Sequence, residues 1–197
     1  MSYYDIDSIL TDAEKIPCTF QLDVPDLGYL DNTPTQPLKV GTRVNLPLWL
    51  AEMLVIANSG DIEGRPFVTF DLPPALGNDV VQALKADPRA VPLRDQSPHF
   101  YGLAARLMEL LDEKELATVL RKTFVVRASE IALHARKVGG PGHHKGKNPA
   151  EEGSNLGIGG AGEDFLRGLD ESERGLFRKA HDGAKSGKEW MESIKKH

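Results

Sequence analysis

The chain has 197 residues, of which 40% are hydrophobic and 27% charged, and its formal net charge is −5. This composition excludes a chain that is disordered throughout. The charge is uneven, because residues 1–72 carry 4 Lys and Arg against 11 Asp and Glu, whereas residues 73–197 carry 20 against 18. The asymmetry indicates two units, and neither is basic enough to make duplex DNA the expected partner.

Cellular location is indicated by three features of the sequence. The single cysteine, Cys18, excludes an intrachain disulfide and favours an intracellular protein. The stretch "MSYYDIDSILTDAEK" lacks the basic start and apolar centre of a signal peptide. The longest mainly apolar run, residues 46–57, contains Glu52 and is too short to span a bilayer. We therefore expect a soluble protein of the cytosol or nucleus.

The first 72 residues are predicted to form a small β-rich domain, because prolines and glycines separate short apolar runs. In "CTFQLDV", Phe20, Leu22 and Val24 alternate with polar residues, which is the period of a half-buried strand. Phe67 and Val68 begin a second run of strand character.

One helix is expected within this β-rich domain, in the run "PLWLAEMLVIA". Pro47 suits the first turn of a helix. Behind it, Leu48, Ala51 and Val55 fall on one helical face. The prediction for residues 1–72 is therefore a β-rich domain with a single helix.

From residue 73 the pattern becomes helical. The run "PALGNDVVQALKA" predicts a short helix that Asp87 and Pro88 close. Ser97 and Pro98 predict the start of a longer helix, as N-cap and first helical residue. Its apolar residues follow one stripe and are Phe100, Leu103, Ala104, Leu107 and Leu111.

A second long helix is predicted over residues 113–137, because Asp112 and Glu115 resemble a capping box. One side of this helix is apolar and carries Leu116, Leu120, Phe124, Ala128 and Ile131. The opposite side is basic and carries Arg121, Lys122, Arg127 and Arg136. This distribution is typical of a helix that packs through its apolar side.

Residues 139–162 interrupt the helical pattern, since 9 of these 24 positions are glycine and two are proline. Such a stretch cannot bury enough apolar surface to offset its backbone entropy, so we predict a flexible loop. Helical spacing resumes at Glu163, and the last ten residues are expected to form a basic, frayed tail. The apolar residues of this final segment are Phe165, Leu169, Leu176 and Phe177. The fold class is therefore α+β, with the β-rich domain 1–72 before an all-α domain 73–197.

The stretch "GIGGAG", residues 157–162, satisfies the G-x-G-x-x-G pattern of dinucleotide-binding loops. That chemistry requires a buried strand before the glycines, so that the following helix N-terminus faces the pyrophosphate. The preceding "GKNPAEEGSN" cannot be a core strand, and the residues that follow are too few for a βαβ repeat. We therefore interpret the glycines as part of a linker and keep a nucleotide-binding enzyme as the disfavoured alternative.

Four residues of reactive type have structural interpretations. His143 and His144 could bind a metal, but adjacent residues do not share a face and no further ligand stands at suitable spacing. His99 lies at a helix start, without a nucleophile motif or a partner carboxylate. Cys18 lies in an acidic segment, which disfavours a thiolate. We therefore expect His143 and His144 to lie in a loop, His99 to serve in packing, and Cys18 to lie in the core.

The stretch "LDESERGLF" holds carboxylates that could in principle serve acid–base chemistry. Asp170 and Arg174 stand four residues apart, and on an exposed helix they would form an ordinary side-chain pair. We prefer that structural interpretation. The sequence thus predicts no catalytic residue, no cofactor and no metal. The aromatic residues exceed what the helices need for their own core, which favours a partner-binding protein.

Six segments together resemble the third subunit family of the GINS complex, of the fungal type. They are "YYDIDSILTDAEKIPCTF" (3–20), "LPLWLAEML" (46–54), "VTFDLPPAL" (68–76), "LKADPRAVPLR" (84–94), "SPHFYGLAARLMELL" (97–111) and "LDESERGLF" (169–177). They occur in the order of the family and cover most of the chain outside residues 139–162. That glycine-rich stretch departs from the family as an expansion of an inter-helix loop.

The resemblance implies a β-rich domain that precedes a helical domain, and a non-catalytic scaffold rather than an enzyme. It further implies a nuclear heterotetramer with three paralogous GINS subunits, bound to the MCM helicase ring and its RecJ-like partner in DNA replication. DNA would be contacted only indirectly, and no membrane is implied. The residues expected at a partner interface are Phe100, Tyr101, Arg174 and Phe177. The alternative of a direct nucleic-acid-binding module would use Arg121 and Lys122 on the basic side of helix 113–137.

Overall fold

The computed structural model describes residues 4–33, 36–57, 66–111, 113–138 and 160–195. Among these residues, a three-stranded sheet occupies the N-terminal region and helices dominate the remainder, which confirms the predicted α+β class. Two compact units are formed, one from Met1–Gly77 with Gly102–Asp112 and the other from Asn78–Tyr101 with Glu113–His197. The proposed domain boundary at residue 73 stays a prediction.

The first unit contains a sheet flanked by helices. Its helices are α1 (Ile6–Asp12), α2 (Leu48–Ile56) and, from Gly102 on, α5 (Phe100–Leu110). Its strands are β1 (Lys15–Phe20), β2 (Arg43–Pro47) and β3 (Val68–Phe70). The strand order is β2-β1-β3 with antiparallel pairing throughout. The N-terminal helix α1 was not predicted from the sequence.

Strand β1 lies at the centre of the sheet and turns alternate side chains into the core. Ile16, Cys18 and Phe20 are buried, and Cys18 stands opposite Val44 on one neighbour and Phe70 on the other. The strand predicted within "CTFQLDV" (18–24) was therefore placed too late in the chain, because β1 spans Lys15–Phe20. Beyond it, Val24 forms only an isolated bridge, with Leu38.

Helix α2 begins after Pro47 and buries Leu48 and Ala51, as its spacing predicted. Helix α5 (Phe100–Leu110) likewise follows the predicted stripe, because Phe100, Leu103, Ala104 and Leu107 are all almost fully buried. Gly102 of α5 lies against Thr11, where an added Cβ would stand 2.7 Å from the Thr11 hydroxyl oxygen.

The second unit is helical. It contains α3 (Asn78–Ala86), α4 (Leu93–Gln96), α6 (Lys114–Val138), α7 (Gly160–Arg167) and α8 (Glu171–Lys195). Helices α6 and α8 pack against each other. The bounds of α6 agree with the sequence prediction to within one residue, whereas α3 begins at Asn78, four residues after the predicted run starts at Pro74. Asp112, the predicted cap of α6, lies outside the described residues.

The inward face of α6 differs from the predicted one. Phe124 is 41% exposed, whereas Thr123 and Arg127 are completely buried. The buried stripe therefore passes through two polar positions between Leu120 and Ile131. The prediction was wrong here because it assigned the inward face by apolarity alone, and it placed Arg127 on the exposed basic side.

The glycine-rich prediction is only partly tested. Residues 139–159 lie outside the described residues, and with them Gly157 and Gly159. Gly160 and Gly162 belong to α7, so the helix starts three residues before the predicted Glu163. Helix α8 continues to Lys195, so the prediction of a frayed tail was wrong for that part of the chain. Over the described ranges, no helix is both long and apolar enough to cross a membrane.

Candidate partner interface

The centre of the second unit is a buried arginine. Arg127 of α6 uses all five of its N–H groups within the protein. Its Nε and Nη2 donate to the two carboxylate oxygens of Glu173, at 2.7 and 2.8 Å. Its Nη1 donates to the carbonyl oxygens of Pro88 and Val91, both at 2.9 Å, and Nη2 also donates to that of Gly168 at 3.5 Å. One side chain thus ties α6 to α8 and to two loops.

Glu173 also belongs to a reciprocal cap at the start of α8. The Glu173 N–H donates to Asp170 Oδ1 at 2.8 Å, and the Asp170 N–H donates to Glu173 Oε2 at 3.3 Å. This is a capping box with aspartate at the N-cap. The second oxygen of Asp170 accepts the Tyr101 N–H of α5 at 3.2 Å, so one carboxylate serves two helix starts.

Burial and neighbouring charge shift the ionisation of this group of residues. Burial raises the pKa of Asp170 to about 6, although its backbone hydrogen bonds and Arg127 act in the opposite direction. Burial and the nearby Glu173 carboxylate also raise the pKa of Tyr101, whose hydroxyl donates to Glu173 Oε1 at 3.3 Å. The Tyr101 phenol therefore stays neutral and serves as a hydrogen-bond donor.

The earlier interpretation of Asp170 was wrong, because the residue lies on no exposed helix. Asp170 is 0% exposed and Glu173 is 1% exposed. The Asp170 carboxylate accepts hydrogen bonds from backbone N–H groups. The Arg174 backbone N–H donates to the Asp170 carbonyl oxygen at 2.9 Å, which is an ordinary helical hydrogen bond. The missed signal was the D-x-x-E spacing, which had been used to predict a cap at Asp112 and Glu115.

Apolar packing completes the junction of α6, α7 and α8. Ile131, Phe165 and Leu169 form a buried cluster, and Phe177 packs against it from α8. The Arg127 guanidinium carbon lies 4.9 Å from the centre of the Phe165 ring, which is cation–π geometry. Because the ion pair and the cluster act on the same helices, the first two turns of α8 are held firmly on α6.

The four residues predicted at a partner interface all belong to the second unit. Phe100 is completely buried, and its ring contacts Tyr101 edge to face at 5.5 Å. Tyr101, Arg174 and Phe177 are half-buried. Phe177 stacks on His181 with ring centres 6.3 Å apart. Their role in partner binding stays a prediction.

Beyond its anchored start, α8 exposes large apolar side chains. Trp190 is 65% exposed, and Met191 and Ile194 are each 54% exposed. Helix α6 also exposes Val125 at 64% and Leu133 at 46%. Large exposed apolar residues that gather on helices favour a protein-binding surface over a self-contained fold.

The residues of reactive type are placed as follows. Burial raises the pKa of Cys18 to about 11, so its buried thiol is protonated at neutral pH. His99 precedes α5, and its N–H donates to the Ser97 hydroxyl at 3.2 Å. His143 and His144 lie outside the described residues. Among the residues that the structure describes, no three histidine, cysteine or acidic side chains gather as metal ligands would.

The basic side predicted for α6 is interrupted at Arg127. Arg121, Lys122 and Arg136 are exposed, but Arg127 is buried and neutralised by Glu173. A continuous basic stripe of the kind that binds nucleic-acid phosphates is therefore broken at its middle. The alternative of nucleic-acid binding through Arg121 and Lys122 stays a prediction.

Comparison with known proteins gives a consistent result over both parts of the chain. A model of the PSF3 N-terminal domain matches residues 4–56, and one of the GINS complex protein helical bundle domain matches residues 75–192. The DNA replication complex GINS protein psf3 of Neurospora crassa is 68% identical, with 100% of each chain covered. The PSF3 protein of Gibberella zeae is 57% identical, over 100% of this chain and 99% of its own. That of Saccharomyces cerevisiae is 39% identical, over 97% of this chain and 98% of its own.

Proposed function

The chain belongs to the PSF3 family of DNA replication complex GINS proteins, and we propose that it is a non-catalytic subunit that scaffolds the MCM-containing replicative helicase. Its partners in this proposal are three paralogous GINS subunits, the MCM ring and a RecJ-like protein, and its location is the nucleus. DNA is contacted through the assembly rather than by this chain.

One observation carries the proposal beyond family membership. Helix α8 is fixed at its start by the Arg127–Glu173 pair and then presents Trp190, Met191 and Ile194 to solvent. An anchored helix with an uncovered apolar end is suited to packing against helices of other subunits. Packing of this kind would let the chain act as a scaffold and requires no catalytic residue.

We propose that the predicted interface residues also take part in partner binding. Arg174 and Phe177 lie on the first turns of α8 and are partly accessible. Tyr101 stands beside Phe124, with ring centres 5.4 Å apart, and Phe124 is itself 41% exposed. Phe100 supports Tyr101 from within the core. We propose that Tyr101, Arg174 and Phe177 border the surface that the paralogous subunits cover.

Reconstitution tests the proposal directly. The full chain co-expressed with the three paralogous subunits should yield a complex of one copy each, measured by native mass spectrometry. Met191→Glu should weaken retention of the chain by about tenfold or more, because a charge enters an apolar contact. Lys185→Glu, at an exposed position of the same helix, is the matched control and should change retention less than about twofold. A wild-type chain that remains a stable monomer beside the other three would contradict the proposal.

A further inference from the structure

The distal part of α8, residues 185–195, is uncovered on all sides by the described part of the chain. Every residue in it is exposed except Lys188, which is half-buried. A Cβ added at Gly183 or Gly187 would meet no described atom within 4 Å. Glycines also weaken the interior of a helix. A partner that encloses the distal part would therefore stabilise it.

Large apolar side chains lie on one side of this distal part. Trp190 is 65% exposed, and Met191 and Ile194 are each 54% exposed. Their spacing places them on the same helical side, and Gly187 extends that side by one turn. We name these four residues the distal apolar side: Gly187, Trp190, Met191 and Ile194.

A basic stripe follows the opposite side of α8. Its five residues stand at positions i, i+4, i+7, i+11 and i+14 and are Arg174, Arg178, His181, Lys185 and Lys188. Arg178 is bonded to Glu171 at 2.6 Å. Lys185 is exposed and forms no ion pair with the described residues. The distal part of α8 is therefore amphipathic, with one apolar side and one basic side.

The charge of this segment is opposite to that of the rest of the chain. Residues 174–197 carry 7 Lys and Arg against 3 Asp and Glu, although Glu192 interrupts the basic stripe before Lys195. Residues 1–173 carry 17 Lys and Arg against 26 Asp and Glu. A basic amphipathic helix fits an apolar groove that has an acidic rim.

Calcium-loaded EF-hand sensor lobes combine these properties. Calcium opens a pair of helices in the lobe and exposes an apolar groove rich in methionine. Methionine side chains adapt to target helices of different sequence, and the calcium loops are rich in carboxylates. An anionic membrane would also attract the basic stripe, but it would repel the acidic remainder of the chain. The three large apolar side chains moreover offer a membrane little area to bury.

We infer that the distal part of α8 docks into the groove of a calcium-loaded, acidic EF-hand lobe, with Trp190 as its main anchor. This inference goes beyond the proposed function and does not rest on it. The proposed function assigns the same apolar side to the paralogous subunits, so the two kinds of partner would exclude each other. The sensor would bind the unassembled chain, and calcium would thereby regulate its entry into the complex.

Binding of calmodulin to the purified full chain tests the inference. Biolayer interferometry with calcium should give a dissociation constant of about 10 μM or lower, and EGTA should raise it at least about tenfold. Trp190→Ser should weaken the calcium-dependent binding by about tenfold or more. Trp49→Ser replaces a tryptophan that is 50% exposed on α2, so it is the matched control and should stay within about twofold. Circular dichroism checks that both variants fold.

A charge reversal tests the electrostatic part of the inference. Lys185→Glu should weaken calcium-dependent binding of calmodulin severalfold at low salt, with the effect fading near 0.5 M salt. The same change is expected to alter retention in the four-subunit complex less than about twofold. The two kinds of partner are therefore distinguished by one variant.

Three results would overturn the inference. Calmodulin binding that EGTA leaves unchanged would assign the helix to another kind of groove. Trp190→Ser that binds like the wild type would place the contact elsewhere on the chain. Capture of the chain by phosphatidylserine vesicles, without binding to calmodulin, would assign the distal apolar side to lipid. If the four-subunit complex does not form, the proposed function fails, whereas calcium-dependent binding by the single chain would still support this inference.

Discussion

Replacing Arg127 with methionine should strongly destabilise the second unit. The change removes the side chain that neutralises the Glu173 carboxylate through two bonds of 2.7 and 2.8 Å. It also deprives three carbonyl oxygens of a donor, on Pro88, Val91 and Gly168. A buried charge left without its partner typically costs about 3–5 kcal/mol. That is a large fraction of the roughly 5–15 kcal/mol that stabilises a whole domain.

Amide hydrogen exchange of the full chain measures this effect. A loss of about 3–5 kcal/mol should lower the protection of amides in the first turns of α8 by more than about a hundredfold. Arg121→Met, at an exposed position of the same helix, is the matched control and should change stability by less than about 0.5 kcal/mol.

A second replacement separates the ion pair from general packing. Adding Glu173→Leu to Arg127→Met removes the stranded charge, so the double variant should recover part of the stability that the single variant loses. The reasoning would be refuted by a single variant that loses less than about 1 kcal/mol. It would also be refuted by a double variant that loses the full sum of the two single changes.

Two further changes test the cap and a close backbone approach. The pKa of Asp170 is raised from 3.8 to about 6 in the fold, so its contribution to stability is full at low pH and is lost as the pH rises through about 6. Asp170→Asn should therefore flatten the dependence of the unfolding free energy on pH between about 4 and 6. It should also lower stability by about 1 kcal/mol, because the amide oxygen can still cap α8 but the amide NH2 cannot accept the Tyr101 N–H. Urea unfolding compared between variant and wild type at several pH values checks both effects, and an unaltered slope would contradict the assignment. Gly28→Ala should lower the melting temperature of the first unit, because the new Cβ would overlap two backbone carbonyl oxygens of the following loop. The backbone would have to shift, at a cost of about 1–3 kcal/mol. A melting temperature equal to that of the wild type would contradict this expectation and show that the loop moves without cost.

Regular apolar spacing accounts for the parts of the fold that the sequence predicted well. The stripe of α5 from Phe100 to Leu107 contains only apolar residues at helical intervals, and every one of them is buried. Helix α2 was predicted from Pro47 and the spacing of Leu48 and Ala51. In these helices the residue that packs inward is also the most apolar one available, so local pattern and tertiary structure agree.

The inward face of α6 could not be predicted in the same way. Arg127 faces the core because Glu173 neutralises it, and the two residues are separated by 46 positions that include the glycine-rich stretch. No local pattern records such a pairing. Phe124 was placed inward in error, because a phenylalanine at helical spacing normally belongs to the core. Its exposure is instead consistent with the partner-binding surface proposed for this unit.

The cap of α8 could be predicted from the sequence only in part. Asp170 and Glu173 have the D-x-x-E spacing of a capping box, so that part of the site was readable from the sequence. The sequence could not show that Asp170 also accepts a hydrogen bond from Tyr101, or that Glu173 accepts one from Arg127. It also gave no sign that α8 would stay helical to Lys195. The residues at the predicted interface were named from family resemblance, and spacing alone would not have selected them.

Affinity isolation from cells tests the central claim most directly. The full chain, tagged and expressed at its natural level, should co-purify three subunits of similar size in equal amounts, together with the MCM ring in cells that are replicating DNA. Mass spectrometry identifies and quantifies them. Recovery of the chain alone, or with partners that include no GINS paralogue, would contradict the account.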